Sequence, residues 1–216
     1  MLAKIRVRDF LSLKDVSLTL GKLNIVVGPG ASGKSNLLKA LALIGSCARF
    51  GYPRLGGLAE PDQAGGWFID MASLAFNFDS NAAPTLSVDV QLGGRVCTYT
   101  LKLALEGFEE EVVRGKEVLL RSSSKEASFT YASGDGFPKT ATSALRVRYR
   151  DPLGRVRLAQ ASAYPSALSA LPTDAHPDLY AVAEELHRIR VFGFEPSGLR
   201  GYARVRDRPD MGYRGE

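Results

Sequence analysis

Several features that define particular protein classes are scarce or missing in this sequence. Its two cysteines, Cys47 and Cys97, lie fifty residues apart in apolar surroundings with no His or Cys at ligand spacing, so we expect buried thiols in a reducing compartment. The longest apolar region, residues 37–44, is interrupted by Lys39 and is far shorter than the ~20 residues that span a membrane. Residues 1–8 alternate apolar with charged side chains, which predicts a half-buried strand continuing to Phe10 and is unlike a signal peptide. These absences predict a cytoplasmic protein with no membrane partner.

A strong charge imbalance and internal repeats are also missing. The 28 Lys and Arg residues against 23 Asp and Glu give a net charge of +5. Hydrophobic residues make up 45% and charged residues 24%, which is typical of a globular domain and excludes a disordered or collagen-like chain. The two histidines, His176 and His187, have no partner at metal or catalytic spacing, so we interpret both as structural or surface residues.

A glycine-rich loop is the clearest chemical motif that is present. Residues 28–35 read Gly-Pro-Gly-Ala-Ser-Gly-Lys-Ser and fit G-x-x-x-x-G-K-[ST], between a predicted buried strand at 23–27 and a predicted amphipathic helix from 35 to about 48. The glycines would let successive backbone N–H groups face a phosphate, and the helix adds its positive dipole end. Lys34 is expected at the β- and γ-phosphates and Ser35 on Mg²⁺. The predicted nucleotide-binding residues are Gly28, Pro29, Gly30, Ala31, Ser32, Gly33, Lys34, Ser35 and Asn36.

The rest of the chain divides by composition. Strands are predicted at 67–78, 85–92, 95–105, 111–121, 126–132, 144–150, 155–158 and 191–194. A short turn is predicted at 166–171 and a helix from Pro177 to about Arg190. The resulting division is a strand–loop–helix nucleotide core at 1–48, a flexible Gly/Pro loop at 49–66, an antiparallel β section at 67–160, a helical segment at 161–194 and a flexible tail at 195–216.

The residues around the glycine loop resemble the opening of ABC-class ATPases of the SMC, RecF and OLD group over residues 3–44. The family opening reads NF-x-S-F-x-D, then N-x-x-x-G-x-N-G-x-G-K-S-N-L-L-x-A-L, and the matching positions here include Ser12, Asp15, Asn24, Asn36 and Leu37. Leu11 stands where many members have Arg, and Gly30 stands where most have Asn. A looser likeness to OLD-like ATPases covers residues 164–192.

This resemblance implies an α/β fold of the P-loop NTPase class, specifically the N-terminal lobe of an ABC-type ATPase. A mixed sheet would surround the Walker A helix, beside a large antiparallel β section, and the ligands would be ATP and Mg²⁺. It also implies a glutamine near the end of the lobe that helps hold Mg²⁺ and the attacking water. Gln160 is the best placed, the others being Gln63 and Gln91, although a polar loop residue without this role is the alternative.

Two motifs that the resemblance implies are missing from the sequence. An acidic motif of four apolar strand residues followed by Asp-Glu has no match, because Phe68-Ile69-Asp70 is too short, residues 86–90 alternate like an exposed strand, and residues 109–111 are expected in a turn. Residues 132–136 favour a turn over the signature motif of such ATPases. We therefore interpret the chain as the first lobe of a two-lobe head, with no catalytic residue of its own and no turnover alone.

An arginine-rich hairpin is predicted near the end of the β section. Arg146, Arg148 and Arg150 alternate with apolar residues on one side of the turn, and Arg155 and Arg157 do so on the other. One face of this hairpin is expected to be nearly all arginine, which favours contact with DNA phosphates. The alternative is a solvated strand face on which arginine discourages edge pairing.

The sequence thus favours the ATP-binding half of a RecF/OLD/SMC-like ATPase acting in DNA repair or phage defence. Its partners would be the second lobe or a second head in a nucleotide-dependent dimer. A transporter-type ABC subunit is one alternative, disfavoured by the strand-rich insertion at 67–158 and the entry at residues 10–15. A non-hydrolysing nucleotide-dependent scaffold is another, and a small-molecule kinase is a weaker third.

Overall fold

An eight-stranded antiparallel sheet organises the chain. The structure, a computed structural model, describes residues 1–50, 74–79, 81–104, 107–123, 128–142, 146–150, 156–160 and 166–191. The strands of the sheet are β1 (Leu2–Phe10), β2 (Leu13–Thr19), β3 (Thr85–Leu92), β4 (Arg95–Ala104), β5 (Gly107–Arg114), β6 (Glu117–Ser123), β7 (Ser128–Ala132) and β8 (Pro138–Thr142). They lie in the order β2-β1-β3-β4-β5-β6-β7-β8, and each pair of neighbours is antiparallel.

Two helices and a separate hairpin complete the described elements. Helix α1 spans Lys34–Phe50 and α2 spans Pro177–His187, with short 3₁₀ turns at Phe76–Phe78 and Ala167–Ala170. Strands β9 (Arg146–Arg150) and β10 (Val156–Gln160) pair with each other in a two-stranded sheet. The chain is therefore an α/β protein in which antiparallel sheet predominates.

Strand β1 follows the period-two pattern that its sequence predicts. Ile5 and Val7 are buried, and they pair with β2 on one side and β3 on the other. Phe10 is also buried although it breaks the alternation. Asp9, whose φ is +52°, turns the chain between these positions. Because β1 and β3 are neighbours, the N-terminal strands and the later β section belong to one sheet.

The core lies between the sheet and the two helices. Helix α1 contacts β1 and α2, and α2 contacts β3 and β4. Gly45 of α1 lies close to the chain that follows α2, since a Cβ there would lie 2.9 Å from Cβ of Ile189. Both cysteines are free and fully buried, as predicted, and burial, with a smaller effect from Glu110, raises the pKa of the Cys47 thiol well above its ordinary value.

Local sequence signals fix the start of α2. Pro177 occupies the first helical position, as predicted, where its missing N–H costs no helical hydrogen bond. Nδ1 of His176 accepts a hydrogen bond from the amide of Asp178 at 3.1 Å and so caps the helix. At the other end, Nε2 of His187 lies 2.7 Å from the carbonyl oxygen of Ala48 in α1. Both histidines therefore have structural roles, as the sequence suggested.

Three predictions about the β section are wrong, and one of its strands was not predicted. Residues 111–121 form parts of two strands, β5 and β6, because Gly115 (φ +61°) allows a tight turn there. Strand β8 was not predicted at all, and residues 76–78 form a 3₁₀ turn in place of a strand. The predicted exposed strand at 86–90 is buried on both faces: Leu86, Val88 and Val90 belong to the core, and Ser87 and Asp89 are hydrogen-bonded to side chains of the neighbouring strands.

One predicted boundary differs from the structure, and several other predicted segments lie outside the described residues. Helix α1 continues to Phe50, two residues beyond the predicted end of the nucleotide core. The remainder of the predicted loop at 49–66, residues 192–194 of the predicted strand at 191–194, and the tail at 195–216 lie outside the described residues. Phe68-Ile69-Asp70 lies outside them as well.

Candidate nucleotide site

The glycine-rich loop folds around the side chain of Lys34. Nζ of Lys34 donates hydrogen bonds to the carbonyl oxygens of Gly28, at 2.8 Å, and Pro29, at 2.6 Å. It also donates to Oγ of Ser32 at 3.2 Å. The amide of Ser32 lies 3.4 Å from the carbonyl oxygen of Pro29 and closes a turn. The structure therefore brings the charged end of Lys34 into the concave side of the loop.

The backbone of this loop depends on one glycine more than on the others. Gly33 has φ +89°, and a Cβ there would lie 2.7 Å from Cδ2 of Leu13. Ala31 also has a positive φ, +59°, which is within the small left-handed region open to alanine. Neither Gly28 nor Gly30 has a positive φ, and a Cβ on Gly30 would meet nothing within 4 Å. Of the three glycines, Gly33 therefore has the backbone conformation that other residues rarely adopt.

The first turn of α1 is held by contacts from two directions. The amide of Leu37 donates to the carbonyl oxygen of Gly33 at 3.0 Å, which is the first helical hydrogen bond. Nδ2 of Asn36 donates to Oγ of Ser12 at 2.8 Å. Ser12 lies in the two-residue turn between β1 and β2, so the N-terminal end of α1 is attached to the sheet. Ser35, between these anchored residues, is exposed.

The predicted buried strand in front of the loop is wrong. Residues 23–27 form no strand in the structure, and their four large apolar side chains are exposed. The exposed fractions are 82% for Leu23, 80% for Ile25, 50% for Val26 and 82% for Val27. Among the described residues this run has no neighbouring strand, because the sheet ends at β2. We call residues 23–27 the pre-loop segment.

Ser35 and Gln160 are the two predicted Mg²⁺ ligands. Ser35 stands in the first turn of α1, directly after Lys34. A site with one protein hydroxyl fits Mg²⁺, which commonly keeps several waters and takes its other ligands from substrate phosphates. Gln160 is the last residue of β10 and pairs with Arg146, but its side chain lies outside the described part of the structure. The role of Gln160 therefore stays a prediction.

The acidic residues 109–111 lie within β5, so the expectation that they form a turn is wrong. Glu110 is buried, and its Oε1 accepts hydrogen bonds from the hydroxyls of Tyr99 and Ser166 at 3.0 and 2.5 Å. Its Oε2 accepts from the amide of Ala167 at 2.7 Å. These partners come from the sheet and from the 3₁₀ turn that precedes α2. Glu110 thus has a structural role in joining the two.

The arginine-rich hairpin forms, but its register differs from the predicted arrangement. Arg148 of β9 pairs with Leu158, whereas Arg157 of β10 pairs with Tyr149. Directly opposed residues of an antiparallel pair share a face. The register therefore assigns Arg157 to the alternating set opposite to that of Arg148, so the arginines of the two strands do not fall in one alternating set as predicted. Arg155 lies outside the described residues.

Comparison with known proteins now places the chain in a family. A family described as "AAA domain, putative AbiEii toxin, Type IV TA system" matches residues 23–213, from the pre-loop segment through the glycine loop and beyond α2. The chain belongs to this family. As a member of this AAA family it is a P-loop ATPase-like domain, which confirms the predicted P-loop ATPase class at that level.

One curated relative is an OLD nuclease from Thermus scotoductus. It is 41% identical to this AAA domain over 44 residues, which are 20% of this chain and 8% of the nuclease. The matched stretch is thus a small fraction of the length of that relative.

In the described part of the chain, the helices are too short or too polar to cross a membrane.

The contact between Ser12 and Asn36 is not evident from the sequence. Both residues occupy positions that match the family opening, and they are 24 residues apart. Their separation follows neither a helical nor a strand period, so spacing alone could not show that they meet. The contact follows from the β1–β2 turn reaching the end of α1, which is a property of the tertiary fold.

Proposed function

We propose that this AAA domain is the ATP-binding N-terminal lobe of an ABC-class ATPase of the SMC, RecF and OLD group, acting in DNA repair or phage defence. The observation that carries this proposal is the loop at the start of α1. It combines the ammonium group of Lys34, 2.6–2.8 Å from two loop carbonyl oxygens, with a left-handed glycine and a helix N-terminus. The likeness to an OLD nuclease supports the choice of group.

The residues of the loop can each be given a role in holding ATP. Backbone N–H groups near Ala31 and Gly33, where the chain changes between right- and left-handed conformations, suit phosphate oxygens. The dipole of α1 favours negative charge at the same end. Lys34 would exchange its loop carbonyls for the β- and γ-phosphates. Ser35 and Gln160 would hold Mg²⁺, which neutralises charge on the phosphates during transfer.

The pre-loop segment supports a second lobe that completes the site. Neighbouring residues of an extended chain face opposite sides, and here Ile25, Val26 and Val27 are all at least half exposed. Burying both sides of such a run would require strands beside it and apolar layers above and below it. We propose that another lobe, or a second head, supplies these and also the acidic residues for hydrolysis.

A hydrolysis assay tests whether another lobe supplies the acidic residues for hydrolysis. The purified 216-residue chain should show no Lys34-dependent ATP hydrolysis, and a lobe carrying an Asp-Glu motif should restore it. Lys34-dependent turnover by the chain alone would contradict the assignment of acidic residues to another lobe. If no second lobe restores turnover, the chain is a nucleotide-dependent scaffold.

Variants of the pre-loop segment test whether the second lobe binds to this segment. Leu23→Ser and Val27→Ser alter side chains that are 82% exposed, so each should change the free energy of unfolding by less than about 0.5 kcal/mol. Both should nevertheless prevent the restoration of hydrolysis. Lys22→Ser, which changes the preceding residue, is the matched control and should leave restoration intact.

We also propose that the β9–β10 hairpin contacts DNA. Arg146, Arg148 and Arg150 occupy alternate positions of one strand, and arginines in such an arrangement suit a phosphate backbone. Replacing the three by glutamine should weaken DNA binding and reduce its dependence on salt concentration. Arg188→Gln, at the exposed residue that directly follows α2, is the control. Equal salt dependence of DNA binding in the wild type and both variants would exclude the hairpin as a DNA contact.

A further inference from the structure

The turn between β1 and β2 is fixed to the body of the fold. Phe10 pairs with Leu13 across the turn and forms an isolated bridge to Ala75. The amide of Leu11 donates a hydrogen bond to the carbonyl oxygen of Leu74 at 2.7 Å. This turn therefore offers a rigid support to whatever contacts its exposed side.

The phosphate loop makes that contact. The Cβ position of Gly33 would lie 3.1 Å from Oγ of Ser12 and 2.7 Å from Cδ2 of Leu13, so loop and turn are in close packing. The 2.8 Å hydrogen bond from Nδ2 of Asn36 to Oγ of Ser12 lies beside it. The loop is thus joined to the sheet on its helical side.

The contact between the phosphate loop and the β1–β2 turn is important because the segment before the loop lies outside the sheet. The pre-loop segment, residues 23–27, is exposed and belongs to no strand of the described structure. Asn24 is hydrogen-bonded to Gly21 just after β2, but no described strand pairs with residues 23–27, so the contacts with Ser12 and Leu13 join the loop itself to the sheet. Hydrogen bonds within the loop, such as those of Lys34, shape it but do not orient it relative to the sheet.

We propose that Ser12 is a positioning residue for Mg²⁺-dependent ATP binding, acting through Asn36. Asn36 directly follows Ser35, so a hydrogen bond that fixes the Asn36 side chain also fixes the rotation of the first helical turn. That rotation sets the direction of the Ser35 hydroxyl, the proposed Mg²⁺ ligand. The Ser12 side chain itself need touch neither the nucleotide nor the metal ion. This inference rests on the proposed function.

The test compares ATP affinity with Mg²⁺ and with excess EDTA, measured by titration of a fluorescent ATP analogue. The dissociation constant in EDTA divided by the dissociation constant with Mg²⁺ is the ratio that reports the Mg²⁺-dependent part of binding. Ser12→Ala should reduce this ratio by about three- to tenfold, the range expected for losing one hydrogen bond. Ser12→Thr keeps a hydroxyl and should restore the ratio. A general loss of stability would lower both affinities and leave the ratio unchanged.

A double-mutant cycle identifies the partner. Asn36→Ala should reduce the ratio as much as Ser12→Ala, and the double variant should be no worse than the stronger single variant. Ser17→Ala, at an exposed position of β2, is the control. An unchanged ratio in Ser12→Ala, or single effects that multiply in the double variant, would overturn the inference alone. Failure of the wild type to bind the analogue, or equal binding by Lys34→Ala, would overturn the proposed function and this inference with it.

Discussion

The hydroxyl of Ser166 donates a hydrogen bond to the buried carboxylate of Glu110, with 2.5 Å between the two oxygens. Ser166 caps the 3₁₀ turn at Ala167–Ala170, and Glu110 lies in the middle of β5. The side chain of Glu110 is 1% exposed and accepts from Tyr99 and from the amide of Ala167 as well. One carboxylate thus attaches the segment before α2 to the sheet.

Replacing Glu110 by glutamine should therefore be costly. The neutral amide can accept at one oxygen only, so the hydroxyls of Tyr99 and Ser166 or the amide of Ala167 would lose the charged acceptor to which they donate. We expect the free energy of unfolding in urea to fall by about 1–3 kcal/mol. Glu109→Gln in the same strand, where the carboxylate is 64% exposed and 3.6 Å from Lys102, should change it by less than about 0.5 kcal/mol. Equal effects of the two substitutions would contradict this account of Glu110.

A second buried carboxylate ties α2 to the sheet. Oδ2 of Asp178 lies 2.7 Å from Nη1 of Arg114, and Oδ1 lies 3.0 Å from Nη2 of Arg95. Hydrogen bonds to Glu117 and Asp178 raise the pKa of the Arg114 guanidinium. Asp178→Asn would leave both guanidinium groups facing a neutral amide, so we expect a loss of about 1–3 kcal/mol in thermal unfolding. Glu184→Gln, which removes an exposed pair with Arg188, should cost less than about 0.5 kcal/mol. A larger loss in the control than in Asp178→Asn would exclude this role.

The phosphate loop provides a matched pair of glycine substitutions. Gly33→Ala places a Cβ 2.7 Å from Leu13 at a φ of +89°, and should destabilise the protein by about 1–3 kcal/mol and reduce ATP affinity at least about tenfold. Gly30→Ala meets nothing within 4 Å and should change stability by less than about 0.5 kcal/mol. The two effects are measured by urea unfolding and by nucleotide titration. A tolerated Gly33→Ala would show that the loop can adopt another conformation.

The contacts of Asp174 predict that the stability of the protein depends on pH in the acid range. A hydrogen bond from Lys139 at 2.7 Å, and then one from Tyr131 at 2.8 Å, lower the pKa of Asp174 below its ordinary value of 3.8. Because the folded-state pKa is the lower one, the stabilisation is present above pH 3.8 and is lost as the pH falls through the folded-state pKa. The difference in melting temperature between wild type and Asp174→Asn should therefore be present at neutral pH and vanish in strong acid. Lys139→Gln should reduce this pH dependence, and a difference that grows with acidity would contradict it.

Much of the fold follows from local patterns in the sequence. Strand β1 was recognisable because it alternates apolar and charged residues, and α2 because Pro177 stands at its first position. The glycine loop and the start of α1 were recognisable from the spacing of Gly28, Gly33 and Lys34. Each of these signals lies within a few residues, where the physical chemistry of the backbone determines the outcome.

The errors concern residues whose environment is set by distant parts of the chain. The pre-loop segment has the composition of a buried strand, but composition does not supply neighbouring strands. Glu110 looked like a turn residue because acidic side chains are seldom buried, and its partners at 99 and 166–167 are remote in sequence. The contact between Ser12 and Asn36 depends in the same way on the tertiary fold.

Calorimetric titration of ATP and Mg²⁺ into the wild type and into Lys34→Ala tests the central claim most directly. Lys34 makes its hydrogen bonds at an exposed loop, so the substitution should leave the unfolding temperature within about 2 °C of the wild type. The account predicts that the wild type binds ATP and that Lys34→Ala binds it at least about tenfold more weakly. Equal affinity of the two proteins, or a wild type that binds no ATP, would contradict it.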